Sequence, residues 1–218
     1  MSDIGTWDIF RNLLLSARWT IVLTLTAFIG GGIVGMLVLF ARTSGIKPLV
    51  LATQGFIELF QGTPLLMQMF LMFFGLALFG LDVPAWLAAG VALTLWSAAY
   101  LAEIWRGCVD AIPKGQWEAS SSLALSYSEQ MRHVILPQAV RIAIPPTVGF
   151  SVQIVKGTAI ASIIGFVELT KAGTMLTNAT FRPFLVYSLV ALMFFALCWP
   201  LSLWARHLEG KIHGSRAH

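Results

Sequence analysis

Long uncharged apolar runs alternate with short polar connections along most of this chain. A helix needs about 20 apolar residues to cross the hydrocarbon layer of a membrane. Runs of that length predict five transmembrane helices, at about residues 19–41, 59–81, 84–105, 142–160 and 183–205. The hydrophobic pattern therefore predicts an all-α integral membrane protein.

The fourth run is interrupted by a charge. Residues 142–155 are uncharged, Lys156 follows, and the chain is then apolar up to Glu168. We predict that the fourth span ends near residue 160 and that a short helix or re-entrant piece continues to about Leu169. A lysine at this depth is costly unless it faces a water-filled path or a partner.

One long polar stretch, residues 110–137, separates the third and fourth spans. Pro113 and Gly115 punctuate its start, and a short helix is predicted from about Gln116 to Leu125. The sequence Ser126-Tyr127-Ser128-Glu129 fits a capping box that starts a second helix. In this helix Met131, Val134 and Ile135 form an apolar face. Pro137 is predicted to end the helix. Two short helices at an angle, held against the membrane domain, can transmit a rigid-body movement.

Composition agrees with a chain that lies in lipid. The 218 residues are 57% hydrophobic and 11% charged, whereas soluble domains carry about 25% charged residues. Asp3 and Asp8 precede a first apolar run that is too long for a cleaved signal sequence, so this run is expected to stay as an anchor. Cys108 and Cys198 lie far apart, which favours neither a disulfide nor a metal site.

The distribution of basic residues predicts the orientation. Nine Lys and Arg residues flank one set of span ends: Arg42, Lys47, Arg106, Lys114, Arg132, Arg141, Arg206, Lys211 and Arg216. Four lie at the other side: Arg11, Arg18, Lys171 and Arg182. The balance places the N-terminus outside, and the 110–137 segment and the C-terminus in the cytoplasm. His207, His213 and His218 then belong to a basic cytoplasmic tail, and the net charge of +4 gives no good evidence for nucleic-acid binding.

Small residues cluster in the first span, where Gly30-Gly31-Gly32 precedes Gly35. Such a face permits close packing of a second helix. Glycine is also simply tolerated in lipid-embedded helices, and the pattern alone leaves both readings open.

Several ordered motifs resemble those of a known family. Glu118-Ala119, followed by Leu123 and by Ile135-Leu136-Pro137, resembles the cytoplasmic signature of ATP-binding-cassette (ABC) importer permeases. Further motifs resemble the polar amino acid branch of that family: residues 60–66, 99–107, 112–116, 137–145 and 156–165. Two positions depart from the signature, since Ser120 replaces its second alanine and Ala124 its glycine. Ala124 is expected to replace that glycine only with a negative backbone φ angle.

The resemblance implies a type I ABC importer permease fold, in which residues 1–218 form one transmembrane permease domain in a bacterial inner membrane. It also implies partners: a cytoplasmic ATPase dimer, a second permease that is identical or paralogous, and a periplasmic or extracellular solute-binding protein. Six residues are expected to couple the chain to the ATPase: Gly115, Glu118, Ala119, Leu123, Ala124 and Pro137.

The chain itself is predicted to be no enzyme. It contains no Gly-x-x-x-x-Gly-Lys-Ser/Thr run that could cradle nucleotide phosphates. ATP and Mg²⁺ are therefore expected on the partner ATPase, with no cofactor, catalytic residue or metal ligand here.

Polar residues inside apolar spans are candidates for the solute path: Gln61, Thr63, Gln68, Lys156, Thr158 and Ser162. Gln61 and Gln68 are seven apart, which would place them on one helical face, while Gly62 and Pro64 could break that helix and free carbonyl groups. Lys156 could bind a solute carboxylate, or it could be a structural lysine that snorkels to the interface or is ion-paired, for example with Glu168. Thr158 and Ser162 could line the path or bond to their own backbone.

Two other functions compete with an importer subunit. A secondary transporter would need carboxylates inside the spans, and the predicted spans have essentially none. A membrane scaffold would account for the polar segment but leave the polar groups of the second and fourth spans unexplained.

Overall fold

The structure, a computed structural model, describes the backbone of residues 5–214 and the side chains of residues 5–211. Asp3, Arg216, His218 and the side chain of His213 lie outside the described residues. The described part contains eight helices: α1 Thr6–Thr43, α2 Lys47–Gly62, α3 Leu65–Leu78, α4 Ala85–Asp110, α5 Lys114–Ser122, α6 Tyr127–Ser162, α7 Leu169–Thr180 and α8 Pro183–Gly214. The predicted all-α architecture is confirmed.

Four of these helices, α1, α4, α6 and α8, are long and apolar enough to cross a membrane. Helices α2 and α3 are each too short, and they supply a fifth crossing only as a bent pair. Counted in this way, the number of spans equals the five predicted. The 38 residues of α1, at 1.5 Å each, extend well beyond a hydrocarbon layer of about 30 Å.

The bounds predicted for the second span, residues 59–81, are wrong, because the structure has a bent pair of helices there, but the break that the sequence indicated at Gly62 and Pro64 is confirmed. Helix α2 ends at Gly62, α3 begins at Leu65, and the two axes differ by 104°. Thr63 has extended backbone angles (φ −113°, ψ 143°). The ring of Pro64 disfavours the helical conformation at the residue before it, which explains why the helix stops there.

The glycines of α1 pack closely against α4. A Cβ atom added at Gly31 would lie 2.6 Å from Cβ of Ser97, and one at Gly35 would lie 3.0 Å from the carbonyl oxygen of Ala98. Only a residue without a side chain permits this approach. Of the two readings of the glycine cluster, close helix packing is therefore confirmed.

The predicted helix end at Pro137 is also wrong. Helix α6 runs without a break from Tyr127 through the membrane to Ser162. A wide turn with i to i−5 hydrogen bonding covers Met131–Ile135, directly before the proline. Pro137 then occupies the first turn of the following α-helical stretch, where a missing N–H costs little. The second predicted short helix is thus the start of the fourth span.

The chain after α6 differs from the predicted short or re-entrant piece. A tight 3₁₀ turn at Ala159–Ser162 ends α6, and a loop leads to α7 at Leu169–Thr180, a helix that the sequence did not predict. Helix α7 packs against the first turns of α1 and against α8. Buried residues of the three helices form one apolar cluster: Ile9, Leu13, Ala17, Leu169, Ala172, Val186 and Val190. This cluster also explains why α1 begins at Thr6 rather than near Trp19.

Candidate functional site

Helix α5 presents most of its residues to the outside of the molecule. Glu118, Ala119 and Leu123 are exposed, and the Leu123 side chain is 75% exposed. The other predicted coupling residues, Gly115, Ala124 and Pro137, are exposed as well. The structure therefore brings the predicted coupling set onto the surface, at the end of the molecule where α4 ends.

The turn after α5 has the geometry of a glycine-type helix ending. The Leu125 N–H donates to the Ser120 carbonyl at 3.3 Å, and the Ala124 N–H donates to the Ser121 carbonyl at 2.9 Å. These two bonds form a Schellman motif, whose C′ residue adopts the left-handed conformation. Ala124 is that residue, with φ +56°. The expectation of a negative φ at this position is wrong.

Residues 110–137, here called the coupling segment, are held against the end of α4 by apolar packing. Val109, Ile112, Met131, Ile135 and Ala139 form a buried apolar cluster, which confirms the apolar face predicted on the start of α6. The Ser126 N–H donates to the Glu129 carboxylate at 2.8 Å, as a capping box requires.

Two further contacts tie this segment to α1 and to α5. The Tyr127 hydroxyl donates to the carbonyl of Thr43, the last residue of α1, at 3.1 Å. The Tyr127 ring also stacks on Trp117 of α5, with centroids 6.2 Å apart. These contacts connect α5 to α1 and α6 through the side chain of Tyr127.

Arg106 fixes the end of α4, where the chain leaves the span. Its Nε atom donates to the two Glu103 carboxylate oxygens at 3.0 and 3.1 Å, and it also pairs with Asp110. Glu103 is thus engaged by a neighbour on its own helix.

A polar cavity of about 550 Å³ opens beside the break between α2 and α3. Three predicted solute-path residues line it, namely Gln61, Thr63 and Lys156. Gln61 Nε2 donates to the carbonyl of Ala99 at 3.3 Å. Ala99 lies about 21 Å along α4 at 1.5 Å per residue, which places the cavity near the middle of this span.

Gln68, by contrast, is buried on α3 and does not line the cavity. Its Nε2 atom donates to the Phe60 carbonyl at 2.9 Å, to the Thr63 carbonyl at 3.1 Å and to the Thr63 hydroxyl at 2.9 Å. The break does free backbone carbonyls, as predicted, but Gln68 satisfies them. Gln61 and Gln68 do not share a helical face, because the break separates them.

The remaining predicted path residues, Thr158 and Ser162, also lie away from the cavity. Thr158 is fully buried, and its hydroxyl donates to the Val155 carbonyl at 2.7 Å. This geometry corresponds to the backbone-bonding alternative for Thr158.

Glu168 is not the partner of Lys156 within the described residues. Its buried carboxylate accepts hydrogen bonds from the backbone N–H groups of Thr170 at 2.9 Å and Lys171 at 2.8 Å, and so caps α7. Burial raises the pKa of Glu168, against the lowering effect of these bonds. Lys156 is exposed to the cavity and forms no salt bridge with a described residue.

Three other cavity residues, Trp96, Tyr100 and Gln153, were not singled out from the sequence. Gln153 lies one helical turn before Lys156, and Trp96 lies one turn before Tyr100, so each pair shares a helical face. A search for polar or aromatic residues at this spacing could have found both pairs. The aromatic rings are fixed by Phe150, which lies 5.3 and 5.4 Å from their centroids.

Residues 38–214 match the family described as "Binding-protein-dependent transport system inner membrane component". The probable amino-acid ABC transporter permease protein YckA of Bacillus subtilis is 34% identical over 202 residues, which cover 93% of this chain and 89% of YckA. The glutamine transport system permease protein GlnP of Escherichia coli K12 is 35% identical over 208 residues, covering 94% and 95%.

Solved structures show the same fold. A chain in the crystal structure of an amino acid ABC transporter with histidines aligns with a TM-score of 0.91 at 32% identity, covering 97% of this chain and 99% of that chain. A chain of the inward facing MetNI methionine ABC transporter aligns with a TM-score of 0.70. It covers 96% of this chain and 99% of its own length, and at 20% identity it supports the fold alone.

Proposed function

The chain belongs to the family of binding-protein-dependent transport system inner membrane components, and from this premise we propose that it imports a polar amino acid as the transmembrane subunit of an ABC transporter. The proposal for the solute follows its relatives, which carry the printed names of amino-acid and glutamine permeases. It also agrees with a polar cavity halfway across an otherwise apolar molecule.

The observation that carries the proposal is the surface of α5. Glu118 is exposed on this helix, and Leu123, which directly follows the helix, is 75% exposed although it lies outside the spans. Exposed apolar side chains with polar residues around them mark surfaces that can dock another protein. We assign this surface to a separate cytoplasmic ATPase, because the sequence has no phosphate-binding run of its own.

The complete transporter, in this proposal, contains the ATPase dimer, a second permease and an extracytoplasmic solute-binding protein in a bacterial inner membrane. ATP and Mg²⁺ bind to the ATPase. Nucleotide binding shifts the equilibrium between inward- and outward-open arrangements of the permeases because the nucleotide-bound ATPase binds one arrangement more tightly than the other. The α5 surface transmits that difference to α1 and α6.

Replacing Glu118 with Lys tests this coupling. The exposed side chain makes no packing contribution, so the variant should insert and assemble normally. Reversal of its charge at the docking surface should reduce solute-stimulated ATP hydrolysis by at least tenfold in proteoliposomes that contain the complete transporter. The measurement is the ATPase rate with and without solute-loaded binding protein.

Lys47→Glu is the matched control. Lys47 is exposed at the first residue of α2, on the same side of the membrane by the distribution of basic residues but outside the 110–137 segment. This variant should retain full stimulation. Normal stimulation in Glu118→Lys would overturn the docking assignment, and solute uptake driven by an ion gradient without any ATPase would overturn the proposed function.

A further inference from the structure

An apolar groove of about 680 Å³ lies between α1 and α4, in the half of the molecule opposite the coupling segment. Its α4 wall extends from Trp86 to Leu95, about 14 Å of helix. Helix α4 itself begins at Ala85, and the hydrocarbon layer of a membrane is about 30 Å thick. The groove therefore has about the depth of one leaflet of the bilayer.

The groove exists because α1 and α4 separate toward the N-terminal end of α4. Near mid-span, a Cβ atom added at Gly30 would lie 2.9 Å from Cγ2 of Thr94. Closer to the start of α4, a Cβ atom added at Gly90 would meet only the Thr26 side chain, at 3.8 Å, which is an ordinary van der Waals contact. The two helices thus close the deep end of the groove and leave the other end open.

The walls of the groove offer almost nothing to water. No charged residue lies among the lining residues of the described structure, which are mostly aliphatic or aromatic. The Thr26 hydroxyl already donates to the Val22 carbonyl at 2.9 Å. A water molecule in a cavity needs about two to four polar partners. An apolar molecule is therefore the better occupant of this space.

Two tryptophans and an arginine mark the open end of the groove. Trp19 and Trp86 line it there, and both are exposed. Tryptophan is enriched where a membrane meets water. The Arg18 guanidinium carbon lies 5.4 Å from the centroid of the Trp19 ring. Arg18 is exposed and forms no salt bridge with a described residue, so a free cation lies at the depth of the lipid headgroups.

The surface of α1 beside the groove is apolar along its length. Large apolar residues are exposed from one end of the helix to the other: Leu14, Val22, Leu25, Ile29, Ile33 and Leu37. In a membrane span, such a surface is suited to contact with acyl chains. The groove opens onto this surface, and this continuity favours a lipid over a second protein as its occupant.

We propose that the groove binds one phospholipid, with an acyl chain between α1 and α4 and the phosphate on Arg18. A guanidinium group suits this ligand because its N–H donors match phosphate oxygens in a bidentate manner. The acyl chain gains van der Waals contact with the concave wall, which would otherwise lack partner atoms. The groove shares no lining residue with the polar cavity. The inference goes beyond the proposed function and does not depend on it.

The test counts the lipids bound to the detergent-solubilised permease–ATPase complex by native mass spectrometry. The delipidated complex is titrated with dioleoyl phosphatidylglycerol and, separately, with dioleoylglycerol, which has the same chains but no phosphate. Wild type should bind one phosphatidylglycerol per copy of this permease at least tenfold more tightly than any further lipid. Dioleoylglycerol should bind at the same site at least tenfold more weakly, because Arg18 then has no phosphate to contact.

Two variants address the two ends of the site. Gly90→Phe should fill the groove, because the new side chain starts in the open space beside Thr26. This variant should weaken phosphatidylglycerol binding at the tight site by at least tenfold. Arg18→Gln should weaken phosphatidylglycerol binding by at least fivefold and leave dioleoylglycerol binding unchanged.

Gly55→Phe and Arg182→Gln are the matched controls. Both positions are exposed, and neither residue lines the groove. A Cβ atom added at Gly55 would meet nothing within 4 Å. Both controls should bind lipid as wild type does. Co-purification with the ATPase and a single gel-filtration peak show whether each variant is folded, and the exposed Arg18→Gln tests the inference even if Gly90→Phe does not assemble.

The possible results have distinct meanings. Wild type without a tightly bound lipid, or tight binding that persists in Gly90→Phe, overturns the inference and leaves the importer assignment intact. Equal affinity for dioleoylglycerol and phosphatidylglycerol also overturns it, because the phosphate then contributes nothing. If Gly90→Phe separates the two permeases rather than displacing a lipid, the groove is a contact between permeases and the inference is wrong.

Discussion

Ala124 adopts a left-handed backbone conformation that alanine rarely adopts. The position closes a Schellman motif, and the chain adopts φ +56° there although alanine carries a Cβ atom. For a residue with a Cβ, the left-handed conformation costs about 1–2 kcal/mol. The two hydrogen bonds of the motif and the packed segment that follows hold the turn in this conformation.

Replacing Ala124 with Gly should relieve this strain. Relief of about 1–2 kcal/mol of strain, less about 0.5–1 kcal/mol for the greater backbone freedom of glycine in the unfolded chain, leaves a net gain of about 1 kcal/mol and an apparent melting midpoint about 2–4 °C higher. The midpoint can be followed by gel filtration of the heated complex. Ala119→Gly, in the middle of the same helix, should lower it, since glycine destabilises a helix interior by about 1 kcal/mol. A lower midpoint for Ala124→Gly would contradict the strain argument.

Gln68 illustrates why a polar residue in a span is ambiguous at the residue scale. A path residue and a buried residue that satisfies freed carbonyls look the same in sequence. The structure places Gln61 and Thr63 at the cavity and uses Gln68 to hold the break that positions them. Only the geometry of residues 62–64 separates these roles.

At the scale of elements, the pair α1–α4 depends on the absence of side chains at specific glycines. Gly31 faces Ser97 and Ala98 of α4. Gly32 follows it directly, and a Cβ atom added there would meet only the Trp105 ring, at 4.0 Å, which is an ordinary van der Waals contact. Because an α-helix has 3.6 residues per turn, neighbouring residues face different directions, and of these two glycines only Gly31 lies in the close contact with α4.

These two positions give a matched pair of variants. Gly31→Leu should push α1 from α4 and destabilise the protein by about 1–3 kcal/mol, the usual cost of overpacking. Gly32→Leu should be neutral or slightly stabilising, because leucine is the better helix former. The yield of monodisperse complex and its melting midpoint provide the measurement. Equal effects of the two substitutions would show that close packing does not decide stability here.

The same scale explains two prolines that the sequence predicted to interrupt helices, of which only Pro64 does so. Pro64 follows an extended residue and breaks the α2–α3 pair, whereas Pro137 follows a wide turn and lies inside α6. Both lack a backbone N–H. The difference arises because Pro137 lies in the first turn of the α-helical stretch that follows the Met131–Ile135 turn, where a missing N–H costs little.

At the scale of the whole molecule, the coupling surface and the cavity are well separated. Helix α5 lies at the end of α1 and α4, and the cavity lies about halfway along α4. Helix α6 connects them, since it starts in the coupling segment and carries Lys156 beside the cavity, and α4 also runs from the cavity to the coupling end. One continuous helix can transmit such a movement as a rigid element, which two separate short helices would not do.

The orientation of the molecule can be tested by labelling. We expect a cysteine at Leu123 to react with a membrane-impermeant maleimide only in inside-out vesicles, and a cysteine at Asp82 only in right-side-out vesicles. Both native cysteines, Cys108 and Cys198, would first be replaced with alanine. The expectation follows from the excess of Lys and Arg at the coupling end, and the reverse labelling pattern would invert the topology.

The sequence by itself determined the helical class, the number of crossings and the exposed segment around Glu118, because hydrophobic length and local capping depend on neighbours along the chain. The sequence also indicated the break before Pro64, since proline restricts the residue that precedes it. The tertiary structure decided the 104° angle between α2 and α3, the continuity of α6, helix α7 and the division of polar residues between cavity and core. These features depend on contacts between distant residues, such as Gln61 with Ala99 and Gly31 with Ser97. Hydrophobicity along the chain does not encode which partner will satisfy a carbonyl or accept a close approach.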